Sequence, residues 1–442
     1  MPIPDSVVGL LGFILVFVLI FLKLPVAFAF GSIGFLGTWY LGGLGGLGAA
    51  LDNLPVVMWY KMSGYLLTCL PLFLLMGQFA FLSGIGPDLY ETSLKWWGRM
   101  PGGLALTTAW GCCAFGAVTG ASTAAVLTFT PIAWKPMLDL GYDKRLAAGS
   151  IICSSTMASL IPPSAAFIIY AAVTNESIGR LFIAGIFPGI LEAILYVIVI
   201  IFLAGLGIQP GPPGPHSSLK EKIVSLKKVW GMLTIFTLVI GGIYAGIFTP
   251  TEGAAVGAAG TLIILVFRQG FNLRLIARGL EETARTTGMV FLIIVLAMIF
   301  AQFLALSGLS AWLVSMISGT DLNPYVILAA ALGVLLIAGC IMPVTPMVLL
   351  FVPLYYPIFV SQYGFDGIWF GVIVVVMMEI GLVTPPVGFN LFVFLGMVKE
   401  DISVMQMWQG VIPFVIADVI RAVILIAFPV IVLWLPSTML KF

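Results

Sequence analysis

The first constraint on this chain is the near absence of charge along most of its length. Val7 to Leu22 carries no ionisable side chain, and comparable stretches recur to the C-terminus. Over 442 residues only 8% are charged and 61% are hydrophobic, where an ordinary soluble domain carries about 25% charged residues. Such a sequence cannot cover a water-facing surface. It reads as an all-α polytopic membrane protein, because in lipid every backbone polar group must be satisfied within its own segment. The apolar runs are continuous, which excludes the alternating pattern of an outer-membrane barrel. The first span has no basic stretch before it and no evident small-residue cleavage site, so it reads as a retained helix.

Spans are expected at about 7–22, 25–45, 64–83, 145–174, 186–206, 231–247, 252–267, 286–308, 367–397 and 411–435. Two more apolar stretches, about 103–134 and 325–353, are broken by Gly and Pro near their middles and read as re-entrant hairpins. With the N-terminus outside and both hairpins returning to their own side, Lys23, Lys95, Arg99, Lys135, Lys144, Arg145, Lys220, Lys222, Lys227, Lys228, Arg268, Arg274, Arg278, Arg285 and Lys399 all fall inside. Of the 19 basic residues only Lys61, Arg180, Arg421 and Lys441 do not. That is a strong positive-inside bias, and it puts both termini on the outer side of a cytoplasmic membrane.

The halves of the chain echo each other. LPVAFAFGSIG from Leu24 is answered by TPTEGAAVGAAG from Thr249, with Pro25 and Pro250 spaced by 225. Gly120 is answered by Thr345 and Pro188 by Pro413 at the same spacing, and Pro162-Pro163 by Pro385-Pro386 at 223. The first copy begins outside and the second inside, so the repeats are inverted. Inverted repeats whose broken helices meet at mid-membrane are the architecture of secondary transporters. The reading divides the chain into repeat 1 (1–208), a Pro/Gly-rich then basic cytoplasmic linker (209–229) and repeat 2 (230–442).

The candidate site lies where helices are interrupted. Hairpin 1 carries Gly116, Thr119, Gly120, Ser122 and Thr123, and its partner segment carries Ser154, Ser155, Ser159, Pro162 and Pro163. Hairpin 2 carries Gly339 and Thr345, with Glu379, Gly381, Thr384, Pro385, Pro386, Gly388 and Asn390 in the partner. Tandem prolines free upstream carbonyls. With hydroxyls they form oxygen-only ligands suited to Na⁺, for which Thr119, Ser122, Thr345 and Thr384 are the candidates. New half-helix N-termini suit an anionic group. The competing account is that Ser, Thr and Gly only permit close helix packing; four broken segments paired by a repeat favour the site.

Glu379 lies within a span and would bind a proton, orient the ion loop or bond to local hydroxyls. Asp418 and Arg421, three apart on one helix, are expected to satisfy each other; Glu192 in the matching span is ambiguous. Segments with Lys95, Trp96, Trp97 and Arg99, and with Arg274, Arg278 and Arg285, look like interfacial arms. His216, the single histidine, sits in the linker and leaves none for intramembrane acid–base work. Cys69, Cys112, Cys113, Cys153 and Cys340 lack metal-ligand spacing and read as small hydrophobes.

GAVTGAST, GYDKRLAAGS, SLIPPSAAFIIYAAVTNESIGRLFIAGIFPG and EIGLVTPPVGFNLFV closely resemble the large membrane subunit of tripartite ATP-independent periplasmic (TRAP) transporters. The similarity runs from Leu24 to the LWLP beginning at Leu433. It implies work with a small four-helix membrane subunit and an extracytoplasmic substrate-binding protein. It also implies Na⁺-driven import of a small organic acid, and an elevator fold in which hairpins and broken helices slide against a scaffold. By position, Thr119, Gly120 and Ser122 match the family's first hairpin tip. Pro162 and Pro163 match its first broken helix, and Thr345, Thr384, Pro385, Pro386, Gly388 and Asn390 match the second half. The tip departs from the family's common Ser-Gly-Ser, and Pro343-Val344 stands where an Asp-Pro pair is common. Lys61 and the outer hairpin are the expected contacts for the binding protein.

Other classes fit less well. A stand-alone carboxylate carrier of related fold is the nearest alternative. An intramembrane protease lacks a base or ligand set, no Walker motif is present, and a net charge of +1 argues against nucleic acid. Two inverted hairpins resemble alternating gates more than the fixed filter of a channel.

Overall fold

The computed structural model describes residues 4–43, 47–48, 51–52, 55–56, 59, 64–318 and 322–439. Lys61 and Lys441 lie outside them. Among the described residues the ordered elements are helical, with no strand.

The first half runs α1 (Asp5–Phe21), α2 (Val26–Leu41) and α3 (Cys69–Leu82), then an amphipathic α4 (Ile85–Trp97). Hairpin 1 follows as α5 (Gly103–Thr119) and α6 (Ser122–Asp139). The next expected span is broken into α7 (Lys144–Ser154), α8 (Met157–Leu160) and α9 (Ala165–Thr174), with a 42° bend across the break. A 28-residue α10 (Ile178–Gly205) closes the half.

The same order recurs after α11 (Leu219–Tyr244) and α12 (Pro250–Gln269). The long α13 (Leu273–Leu306) and short α14 (Leu309–Ser318) precede hairpin 2, which is α15 (Pro324–Gly339) and α16 (Val344–Tyr356). The second broken segment is α17 (Gly367–Val383) and α18 (Phe389–Val398), followed by α19 (Val404–Ala427) and α20 (Val430–Ser437).

Packing sorts these helices into two groups. One is built from α2, α3, α12 and α13, with α1 and α11 at its sides, and α4 lies between α11 and hairpin 1. The other gathers both hairpins, both broken segments, α10 and α19. Each half of the sequence contributes to both groups.

Three features depart from, or go beyond, what the sequence led one to expect. The residues of the supposed second arm, Arg274, Arg278 and Arg285, form the first turns of α13. At 34 residues that helix is about 51 Å long at 1.5 Å per residue, so it overshoots the hydrocarbon without a separate arm. Second, the linker, read from composition only as Pro/Gly-rich and then basic, carries ordered structure. Ser218 and Glu221 form a capping box that starts α11 within it. Its first part is strapped over the base of hairpin 1, where the carbonyls of Pro210 and Gly211 accept from Asp143 and Gly102 at 2.8 Å. The Tyr142 hydroxyl bridges them, donating to Pro212 and accepting from the Leu104 amide. Third, the final expected span 411–435 is two helices, interrupted at Phe428-Pro429, where a proline cannot continue the hydrogen-bond ladder.

Candidate functional site

Each hairpin tip closes onto the broken segment of its own half. Gly120 caps α5 with φ +63°, a left-handed conformation that glycine adopts without penalty. A Cβ there would collide with the Pro163 carbonyl, and one at Gly116 would meet the backbone of Ala158. The tip of hairpin 1 therefore lies directly on Ile161–Ser164, whose backbone is non-helical. In the second half, a Cβ on Gly339 would sit 2.7 Å from the Gly381 Cα. Gly388 has φ +59° and turns over the Leu382 carbonyl, leaving 3.0 Å for any Cβ. The Pro162–Pro163 and Pro385–Pro386 bonds are both cis.

Local sequence explains the oxygen-rich lining. Thr119 donates to the Phe115 carbonyl at 3.1 Å and Thr384 to that of Ile380 at 2.6 Å. Each hydroxyl proton is thereby held within its own helix, and the oxygen lone pairs stay free to face an electrophile. Ser122 is buried at the first position of α6, and Thr123 and Thr345 are half-buried. Ser154, Ser155 and Ser159 are buried on α7, its C-cap and α8.

The halves meet through Asn390, whose side-chain nitrogen donates to Ser155 Oγ at 3.2 Å. Its other polar atom, Oδ1, has no hydrogen-bond partner among the described residues, nor do the hydroxyls of Ser154 and Ser164. Glu379 is fully buried beside the Ser159 hydroxyl, with no hydrogen bond of regular geometry to either carboxyl oxygen among the described residues. The two breaks differ in cover: Pro162 and Pro163 are buried, whereas Pro385 is half-buried and Pro386 exposed.

A second polar cluster lies beside α8. Glu192 on α10 pairs with Arg421 on α19 and accepts from Thr156 Oγ1 at 2.7 Å. Arg421 also lies 3.2 Å from Asp418, which accepts from Tyr196 at 2.7 Å. The intrahelical Asp418–Arg421 pair is therefore present, but the sequence left out its third member, Glu192. All three are at most 1% exposed.

Two cavities flank the hairpins. One, about 250 Å³, lies between the tip residues Thr119 and Ala121 and the side chains of Gln78, Glu282, Thr283 and Thr286. The other, about 260 Å³, lies between Leu349 and Pro353 of hairpin 2 and Gln302 of α13. Sequence reasoning passed over Gln78 and Gln302. Their signal was a lone amide in an otherwise apolar span, repeated at a spacing of 224.

Comparison with known proteins bears on what this arrangement does. Residues 13–431 match the family described as "Tripartite ATP-independent periplasmic transporter, DctM component". The chain is 36% identical over 346 residues to a C4-dicarboxylate TRAP transporter large permease protein of Pseudomonas aeruginosa, covering 78% of this chain and 80% of that one. It is 31% identical to a protein of the same description from Vibrio cholerae, over 97% of both. The fold is similar to that of the YdaH transporter of Alcanivorax borkumensis, with a TM-score of 0.60 over 86% of this chain and 90% of that one at 13% identity.

Proposed function

The chain belongs to the DctM component family of tripartite ATP-independent periplasmic transporters and is thus a membrane permease subunit and not an enzyme, and from that premise we propose that it imports a small organic acid coupled to Na⁺ by an elevator movement. In this reading an extracytoplasmic binding protein delivers the cargo and a small membrane subunit completes the assembly. The subunit resides in the inner membrane, with both termini on the outer side.

One observation carries the reading: each half brings a hairpin tip onto its own broken segment, Gly120 on the non-helical Pro163 and Gly339 on Gly381 in the last turn before the break. Such junctions gather hydroxyls and freed carbonyls without any cation, a donor set suited to Na⁺ and poor for a soft metal. Na⁺ at Thr119 and Ser122, and at Thr345 and Thr384, would tie tip to break and order both. The cargo would then rest between the tips, its carboxylate facing half-helix N-termini. The unequal cover of the two breaks, Pro163 buried and Pro386 exposed, is what alternating access demands of any single conformation. The similarity to C4-dicarboxylate permeases favours a C4-dicarboxylate or a similar acid as cargo.

The test is reconstitution into liposomes with and without the two partner proteins and with the Na⁺ gradient set in either direction. Uptake is expected only with all components and an inward Na⁺ gradient. Accumulation by the isolated chain would favour a stand-alone carrier, and uptake indifferent to Na⁺ would remove the coupling.

A further inference from the structure

We infer that the cavity bounded by α4, α11 and α12 is a binding site for a membrane phospholipid with an anionic headgroup. It is the roomiest of the cavities described, about 640 Å³, and lies apart from both hairpins. Lys227, Lys228 and Arg268 line it with a single acidic residue, Asp88. Arg268 pairs with Asp88, and Lys228 donates to Glu91 at 2.6 Å. Lys227 is exposed and makes no ion pair among the described residues. The wall therefore keeps a positive excess with one free ammonium to meet a phosphodiester.

Below that charged rim the lining turns apolar. Trp230 is 66% exposed, Ile263 54% and Phe267 86%. Trp230 and Phe267 stand within one turn of Lys227 and Arg268, and Ile263 about one turn further along α12, so a phosphate at Lys227 leaves its acyl chains against them. A free phosphate would satisfy the rim and leave the apolar wall bare; a phospholipid satisfies both. The surroundings put the rim at a headgroup plane: Gln269 donates to the Ser83 carbonyl at the end of α3, and Lys222 lies 5.8 Å over the Trp96 ring. Basic pockets between membrane helices on the cytoplasmic side are a recurrent means of holding anionic headgroups.

Native mass spectrometry of the delipidated full-length chain tests this, with phosphatidylglycerol and phosphatidylcholine of matched acyl chains as probes. Phosphatidylglycerol should bind roughly tenfold more tightly, and Lys227→Glu should remove the preference without disturbing the fold. Gly231→Leu, aimed at the Ile264 side chain 3.0 Å from the built Cβ, should weaken both lipids. Equal binding of the two lipids by the wild type overturns the proposal. So does a preference undiminished in Lys227→Glu, or competition by soluble glycerophosphoglycerol as strong as by the lipid.

Discussion

Arg421, fully buried in the second half of the chain, is paired with Glu192 of the first half, 229 positions away. The pair joins α10 to α19 beside the break between α7 and α9, and Thr156 of that break donates to the same carboxylate. A charged pair removed from water is stabilising only while both members are present. Arg421→Met or Glu192→Gln alone should lower stability in detergent by about 3–5 kcal/mol. The Glu192→Met/Arg421→Met/Asp418→Asn triple variant, which also neutralises the carboxylate that Arg421 would leave stranded, should recover most of that. Thermal unfolding of the purified chain is the measurement, and additive losses in the triple variant would show that the three do not act as a unit.

Gly120→Ala and Gly388→Ala should both fail in transport while reaching the membrane in normal amount. A Cβ at Gly120 meets the Pro163 carbonyl across the junction, one at Gly388 meets Leu391 and the Leu382 carbonyl within its own break, and the positive φ adds about 1–2 kcal/mol of backbone penalty. Quantified membrane expression beside uptake separates this from a folding defect. Normal uptake by either variant would mean that the surrounding segment has room to move away.

Ser122→Leu and Thr384→Leu should each abolish Na⁺-dependent uptake. Both replace an oxygen at a helix break with an apolar group of larger volume. Wild-type Na⁺ dependence in both would refute the assigned ion sites.

The Asn390–Ser155 hydrogen bond predicts a measurable coupling between the halves. A double-mutant cycle with Asn390→Ala and Ser155→Ala should give about 0.6 kcal/mol, the average for side-chain bonds between membrane helices. A coupling of zero would mean that the two residues sense each other only through backbone packing.

At the start of α7, Asp143 accepts from the Arg145 amide at 2.8 Å and from its guanidinium at 2.6 Å. Burial pushes the Asp143 carboxyl up, but the bonds from Arg145 outweigh it and hold it below its ordinary value. The cap is therefore at full strength above the ordinary carboxylate range and is lost as pH falls through the depressed value. Hydrogen exchange in the first turn of α7 should rise on acidification in the wild type. In Asp143→Ala it should be fast at every pH.

Much of this was legible from one chain. The absence of charge dictated membrane helices, because lipid offers no partner for an open backbone. Paired prolines at 162–163 and 385–386 foretold both interruptions, since a missing N–H breaks the ladder wherever it falls. The spacing near 225 anticipated the recurrence of hairpin and broken segment.

Other features were decided only when distant segments met. Nothing local in Gly120 says that its face is reserved for the Pro163 carbonyl, or that Gly339 and Gly381 nearly touch. Arg421 offered an obvious partner three residues away, yet its deeper bond is to Glu192, because burial requires more compensation than one neighbour supplies. Composition marked the linker only as Pro/Gly-rich and basic, and packing straps its first part to Gly102 and Asp143. Hydropathy and proline placement act through the backbone of each segment and so are written in order along the chain. Close approach, ion pairing and the unequal cover of Pro163 and Pro386 depend on which surfaces are brought together, and that is a property of the folded molecule alone.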